Sequence, residues 1–293
     1  MTRTPTPGRY DVDSGTAELL GDADRPGSWV LLVDGTPQSH VDLDDPAYLD
    51  FEYVRRIGHA VDLVAPTGEP IDVVHLGAGA LTLARYVGTT RHGSRQRAFD
   101  DDAALVALVR RELPLPRGAA VRVRSVDARQ GVAGLPAASA DLVICDVFRG
   151  ARTPAHLTSR EFDVELARVL RPTGIAAINV GDGPPLEFTR AVAVTLRSVF
   201  ARVCLLADPA VLRHRRYGNL VLLASAAELP LAQLIRRVAA DPAPGRVVAG
   251  RDLMAFGGGG GGGKVIVDAT AADSPEPPAE LFATPLRGRP ARR

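Results

Sequence analysis

The chain has 293 residues, 46% hydrophobic and 24% charged, enough to bury the core of one large domain with an appendage. Its 35 Lys and Arg nearly balance 34 Asp and Glu, and a net charge of +1 excludes the broad basic field that nucleic acid or an anionic membrane would require. No apolar run approaches the ~20 residues of a membrane span, and the polar start MTRTPTPGRYDVDSG has no signal-peptide core, so the expected location is the cytoplasm.

Residues 16–45 read as a small β element, with strands TAELL, SWVLLVDG and TPQSHVDL and a turn at Asp34-Gly35. Asp45-Pro46 signals a helix start, and Phe51, Val54, Ile57 and Val61 predict a helix over 48–63. IDVVHL (71–76) is a continuous apolar run closed by Gly77 and followed by a helix over about 80–90. RQRAFD (95–100) is the next strand, and a helix over 102–113 follows with Asp101 or Asp102 as its cap. AVRVRSV (120–126), ADLVICD (140–146) and GIAAINV (174–180) are strands, and Phe162, Leu166, Val169 and Leu170 mark a helix before the last of them. A helix over 184–199 and the strands ARVCLLA and NLVLLAS complete the set, the final strand entering antiparallel. Cys145 and Cys204, each inside an apolar run with no metal-spaced neighbour, read as buried thiols.

Repeated strand–helix units of this kind predict an α/β protein. The expected architecture is a Rossmann-like, seven-stranded, doubly wound sheet with a small N-terminal β-sheet element. The expected divisions are 1–62 for the hairpin element and connecting helix, 63–226 for the Rossmann-like nucleoside-binding domain, and 227–293 for a C-terminal extension. That extension holds one amphipathic stretch, LAQLIRRVAAD, then seven glycines at 257–263, then a Pro/Ala/Arg-rich tail expected to be disordered beyond about 272.

The residues that carry chemistry gather where strands end. Gly77-Ala78-Gly79 follows a strand and opens a helix, where glycines let the backbone approach a ligand, although a plain structural turn fits as well. Asp100-Asp101-Asp102 lies about 20 residues on, where a carboxylate reaches ribose hydroxyls; one of the three must instead cap the helix. Asp127-Ala128 ends the third strand and Asp146 the fourth. Carboxylates on one sheet edge point to a polar ligand there, with a solvated rim as the alternative. Asp42, Asp44 and Asp45 form an acidic turn, read as solvated or as a contact for a cationic molecule, and His40, His59 and His92 read as solvated. His75 reads as a nucleoside contact or a satisfied strand residue, and His156 is a weaker candidate for substrate contact.

GAGA after a strand, the acid after strand two, the D-A pair after strand three and D-x-F after strand four resemble a class I S-adenosylmethionine-type nucleoside-binding domain. More narrowly, VDGTPQSHVDLDDP, DLVICDVF, TPAHLTSREFDVELARVLRPTG and YGNLVLLAS are similar to the spermidine synthase (aminopropyltransferase) family over residues 28–225. The resemblance implies a methyltransferase-like fold. It implies a donor, S-adenosylmethionine or its decarboxylated form, bound at Gln38, Gly77, Gly79, Asp100, Asp127 and Ala128, with Asp146 catalytic. It further implies a small-molecule amine acceptor, a homodimer and a role in polyamine biosynthesis; no ligand cluster suggests a metal, and no nucleic acid or membrane partner is expected. In three places the chain departs from the family pattern. Ala80 stands where the family's glycine loop carries the aspartate that holds the decarboxylated donor's amine, and Arg149 stands where D-x-x-D supplies a second aspartate to the acceptor. The tyrosine expected before Glu52 is also replaced, by Asp50-Phe51. Poor transfer to putrescine is therefore expected, and a methyltransferase or a non-catalytic nucleoside-binding homologue are the rival readings.

Overall fold

A computed structural model of the chain describes residues 4–258 and 263–278. Strands β1 (Gly8–Val12), β2 (Gly15–Gly21), β3 (Ser28–Val33) and β4 (Thr36–Asp42) pair antiparallel in chain order. Asp34 and Gly35, the two residues between β3 and β4, both have positive φ (47° and 78°), the conformation a tight hairpin demands and the reason for Asp-Gly there. β1 lies before the region where sequence reading began the sheet; GRYDV alternates without a fully buried face and gives little pattern to detect.

Helix α1 (Glu52–Leu63) starts four residues later than expected: its N-cap is Phe51, without a side-chain cap, while Asp45 is used in a turn with Ala47 and Tyr48. Then come β5 (Asp72–Leu76), α2 (Thr82–Thr90), β6 (Arg95–Asp100), α3 (Ala103–Glu112), β7 (Val121–Ser125), α4 (Ala128–Ala133), β8 (Ala140–Cys145), α5 (Arg160–Val169) and β9 (Leu170–Asp182). They are followed by α6 (Glu187–Arg197), β10 (Arg202–Ala207), α7 (Pro209–Leu212), β11 (Gly218–Ser225), α8 (Leu231–Ala239), β12 (Arg246–Ala249) and α9 (Gly250–Phe256).

The large sheet has the order β12-β10-β11-β9-β8-β5-β6-β7, eight strands where seven were expected. β7, β6, β5, β8 and β9 are mutually parallel, and β11 enters antiparallel between β9 and β10. The extra strand is β12, which pairs with β10, and α8 packs on α1 and β12. Successive strand residues feed opposite faces: Val143 and Cys145 pack with Phe162, Leu166 and Val192, whereas Leu142 and Ile144 pack with Ile57, Val61 and Leu234. The inner face of the N-terminal sheet, including Leu19, Trp29 and Leu31, closes on residues of α2 and α3.

The stretch expected to lack structure beyond about 272 is placed as far as 278, and it packs. Ser274 is fully buried, donates its backbone N–H to Thr153 O at 3.0 Å and receives the Thr153 N–H on its hydroxyl at 2.8 Å. The rest of the tail, from 279 on, and glycines 259–262 lie outside the described residues.

Candidate active site

Strand order reverses between β5 and β8, and in open α/β sheets ligands bind at the carboxyl ends of the strands beside such a switch. The switch here opens a cavity of about 310 Å³ lined by Gln38, Gly77, Gly79, Asp100, Asp127, Ala128 and Asp146. These seven residues come from the ends of four parallel strands and from β4, and the fold gathers them into one place.

Gly77 shows how tightly the strand ends meet. Its φ is +82°, and a Cβ there would lie 2.2 Å from the carbonyl oxygen of Asp146, so no other residue fits without moving the backbone. The glycine loop then donates to Asp100, whose Oδ2 accepts from Ala78 N at 2.8 Å and Gly79 N at 3.4 Å. Burial raises the Asp100 carboxyl above its ordinary range, and these amides oppose it. Of its neighbours, Asp102 takes the capping role, accepting from Leu105 N at 2.7 Å and also from Ser14, while Asp101 is exposed and pairs with Arg149 at 3.3 Å.

Asp127 caps α4, accepting from Arg129 N at 2.9 Å and Gln130 N at 3.1 Å, and its second oxygen meets His156 Nε2 at 2.8 Å. Burial works against its charge, but the Gln130 amide and His156 outweigh burial and hold its pKa below the usual value. Arg129 in turn grips Asp268 with two 2.7 Å contacts and donates to the His156 carbonyl at 3.1 Å. The 263–278 strap thus braces this wall.

Asp146 occupies the cavity floor. Burial pushes its carboxyl up to about 6, opposed by hydrogen bonds from Asn179, at 2.9 Å, and from the Tyr53 hydroxyl. Neither partner was singled out from sequence. An Asn inside the apolar run GIAAINV was the legible signal for the first; Tyr53 becomes meaningful only once α1 packs across β9 and β11. His75 lines the cavity but is held at 2.8 Å by Gln96, whose amide nitrogen donates to Ala84 O; burial keeps the imidazole neutral, with a pKa of about 4. It is a satisfied strand residue.

β4 roofs the site: Gln38 Nε2 donates to Gly150 O at 3.0 Å, and Ser39 Oγ accepts from Ala80 N at 3.1 Å. Ala80 itself is buried against the N-terminal sheet. The acidic turn is not part of the cavity. Asp42 is buried, bonded to Arg25, Ser28 and the amides of Asp44 and Asp45, so the turn satisfies itself. His40 and His59, expected in solvent, are instead packed: His40 edge-on to Tyr48, His59 against Asp241 at 3.2 Å. Among the described residues no group of His, Cys, Asp and Glu is arranged to hold a metal ion, and no helix is long and apolar enough to cross a membrane.

No family model matches the chain. Over 89% of its length, and 97% of the other chain, it superposes with a TM-score of 0.82 and 31% identity on a probable spermidine synthase from Corynebacterium glutamicum ATCC 13032. The chain belongs to the spermidine synthase family. A polyamine aminopropyltransferase of Vibrio vulnificus is 27% identical over 191 residues, a match that spans 64% of this chain and only 60% of that relative. Human methyltransferase-like protein 13 (TM-score 0.51, 16% identity) shares the fold alone, which places the spermidine synthase sheet in the methyltransferase-like class.

Proposed function

We propose that the chain transfers an aminopropyl group from an adenosyl-sulfonium donor to an amine, with Asp146 as base and orienter. The observation that carries this reading is Asp146: a carboxylate with a pKa near 6, fixed by Asn179 and Tyr53, beside the glycine loop at the strand switch. Asp100, Asp127 and Ala128 would hold the nucleoside, and Gln38 would close over the donor. In the reaction the amine nitrogen attacks the carbon next to sulfur, the C–S bond breaks, and its electrons return to sulfur as neutral methylthioadenosine leaves. The proton lost by the nitrogen passes to the Asp146 carboxylate and on to water. A base must be ionised to act, so turnover should rise with pH through about 6.

Asp146→Asn is expected to lower turnover by roughly 10²–10⁴ and to abolish that acid limb, with calorimetric affinity for methylthioadenosine unchanged. An Asn variant of wild-type activity removes Asp146 from the mechanism. A second reading is favoured by Ala80, which offers no carboxylate to a decarboxylated donor's free amine: methyl transfer from intact S-adenosylmethionine. Thermal-shift titration with both donors separates the two, and a chain that responds to neither is a non-catalytic homologue.

A further inference from the structure

Beyond Asp146, the charges around the amine end of the cavity come in matched pairs. Glu52 is held by Arg216 at 3.3 Å and faces Arg56 at 3.8 Å, and Arg216 also meets Asp208 at 3.0 Å. Asp101 is held by Arg149 at 3.3 Å. Of the other carboxylates lining the cavity, Glu52 and Asp101 face guanidinium groups, Asp127 faces His156, and Asp100 and Asp102 are taken up by backbone amides, so one ammonium finds Asp146 and a second finds no free carboxylate. Arg149 itself is three-quarters exposed (75%) and its ion pair among the described residues is with an exposed carboxylate, a contact that an incoming anion can replace.

The backbone that carries Arg149 is not loose. Arg149 and Arg152 exchange N–H···O bonds of 2.9 and 3.2 Å across a turn, Gln38 holds Gly150, and Arg152 Nε donates to Ser274 O at 2.6 Å. The guanidinium is thus mounted at the cavity rim, three residues from the proposed base. We propose that the acceptor is an amine whose far end carries a carboxylate, an amino acid with a terminal amine and not a diamine, with Arg149 as the specificity-determining residue. This rests on the amine-alkylation reading above and names its substrate class. The amine would meet Asp146 and the carboxylate Arg149, with Asp101 released to solvent.

The test uses the full-length protein and three amines on the same four-carbon chain: n-butylamine, 4-aminobutyrate and putrescine, which end in methyl, carboxylate and ammonium. Each is titrated calorimetrically into protein saturated with methylthioadenosine, and each is assayed for methylthioadenosine release from decarboxylated S-adenosylmethionine. The expected order of affinity is 4-aminobutyrate, n-butylamine, putrescine, with about tenfold or more between the first two, the scale of one charge-assisted contact. Arg149→Ala is expected to erase the carboxylate's advantage, and Arg149→Asp to turn the order toward putrescine. Putrescine binding as well as 4-aminobutyrate, no binding by any of the three, or an unchanged order in Arg149→Ala overturns the proposal. If 4-aminobutyrate binds first but no methylthioadenosine is released, aminopropyl transfer fails while the acceptor class stands. Fastest release with putrescine has the opposite meaning.

Discussion

Asp146 and Asp163 are both buried carboxyls raised above the ordinary range, and they differ in what surrounds them. Asp146 has two hydrogen-bond donors and opens on the cavity; Asp163, in the first turn of α5, is raised by burial alone and one of its oxygens has no partner. A carboxyl raised by folding binds its proton more tightly in the native state, so its contribution to stability falls as pH climbs from the unfolded value near 4 toward the native one. Asp163→Asn cannot ionise. Its stability relative to wild type should therefore grow by about 1.4 kcal/mol per pH unit across that window and level off above it. Urea unfolding of both proteins between pH 4 and 8 measures this; parallel curves would mean that Asp163 ionises as easily folded as unfolded.

Among the elements, the 263–278 strap departs most from a local reading. Its polar residues give no periodic pattern, yet Ile266 O accepts from Arg160 N at 2.8 Å, Asp273 Oδ1 from Ala155 N at 2.9 Å, and Asp268 takes hydrogen bonds from Arg129 and Ser159 that hold its carboxyl down to about 2. These bonds fix the 149–159 segment that carries Arg149 and His156. In the double variant Asp273→Ala/Ser274→Ala, the Thr153 and Ala155 amides should exchange hydrogen roughly fivefold to tenfold faster, ~1 kcal/mol per lost bond. Amides of β8 and β9 should not change. Unaltered exchange at Thr153 and Ala155 would show that the segment holds its position without the strap.

On the scale of the molecule, the cavity is an assembly of distant parts: β4 from the N-terminal sheet, the ends of β5, β6, β7 and β8, and Tyr217 just ahead of β11. A nucleoside filling it would touch most of these at once and couple to global unfolding. Methylthioadenosine at 100 times its Kd should stabilise the fold by ~2.7 kcal/mol and raise the melting temperature by roughly 5–10 °C. Asp100→Ala should reduce that rise. A melting temperature unmoved by the nucleoside would remove the cavity from consideration as its site.

What the sequence determined by itself was whatever depends on near neighbours. The alternation of apolar strands with helices, the Asp34-Gly35 hairpin and the glycine and carboxylates at strand ends are local patterns, and they sufficed for seven of the eight strands of the large sheet and for the residues that meet at its edge. Short elements escaped: α4 has six residues and β12 four, too few for a period to register. Only the tertiary structure decided which carboxylates remain available. Asp102 and Asp127 cap helices, Asp42 folds onto its own turn, and Glu52 and Asp101 are matched by Arg216 and Arg149. The paired arginines lie 164 residues from Glu52 and 48 from Asp101 along the chain, and charge pairing depends on separation in space, which spacing in sequence does not encode.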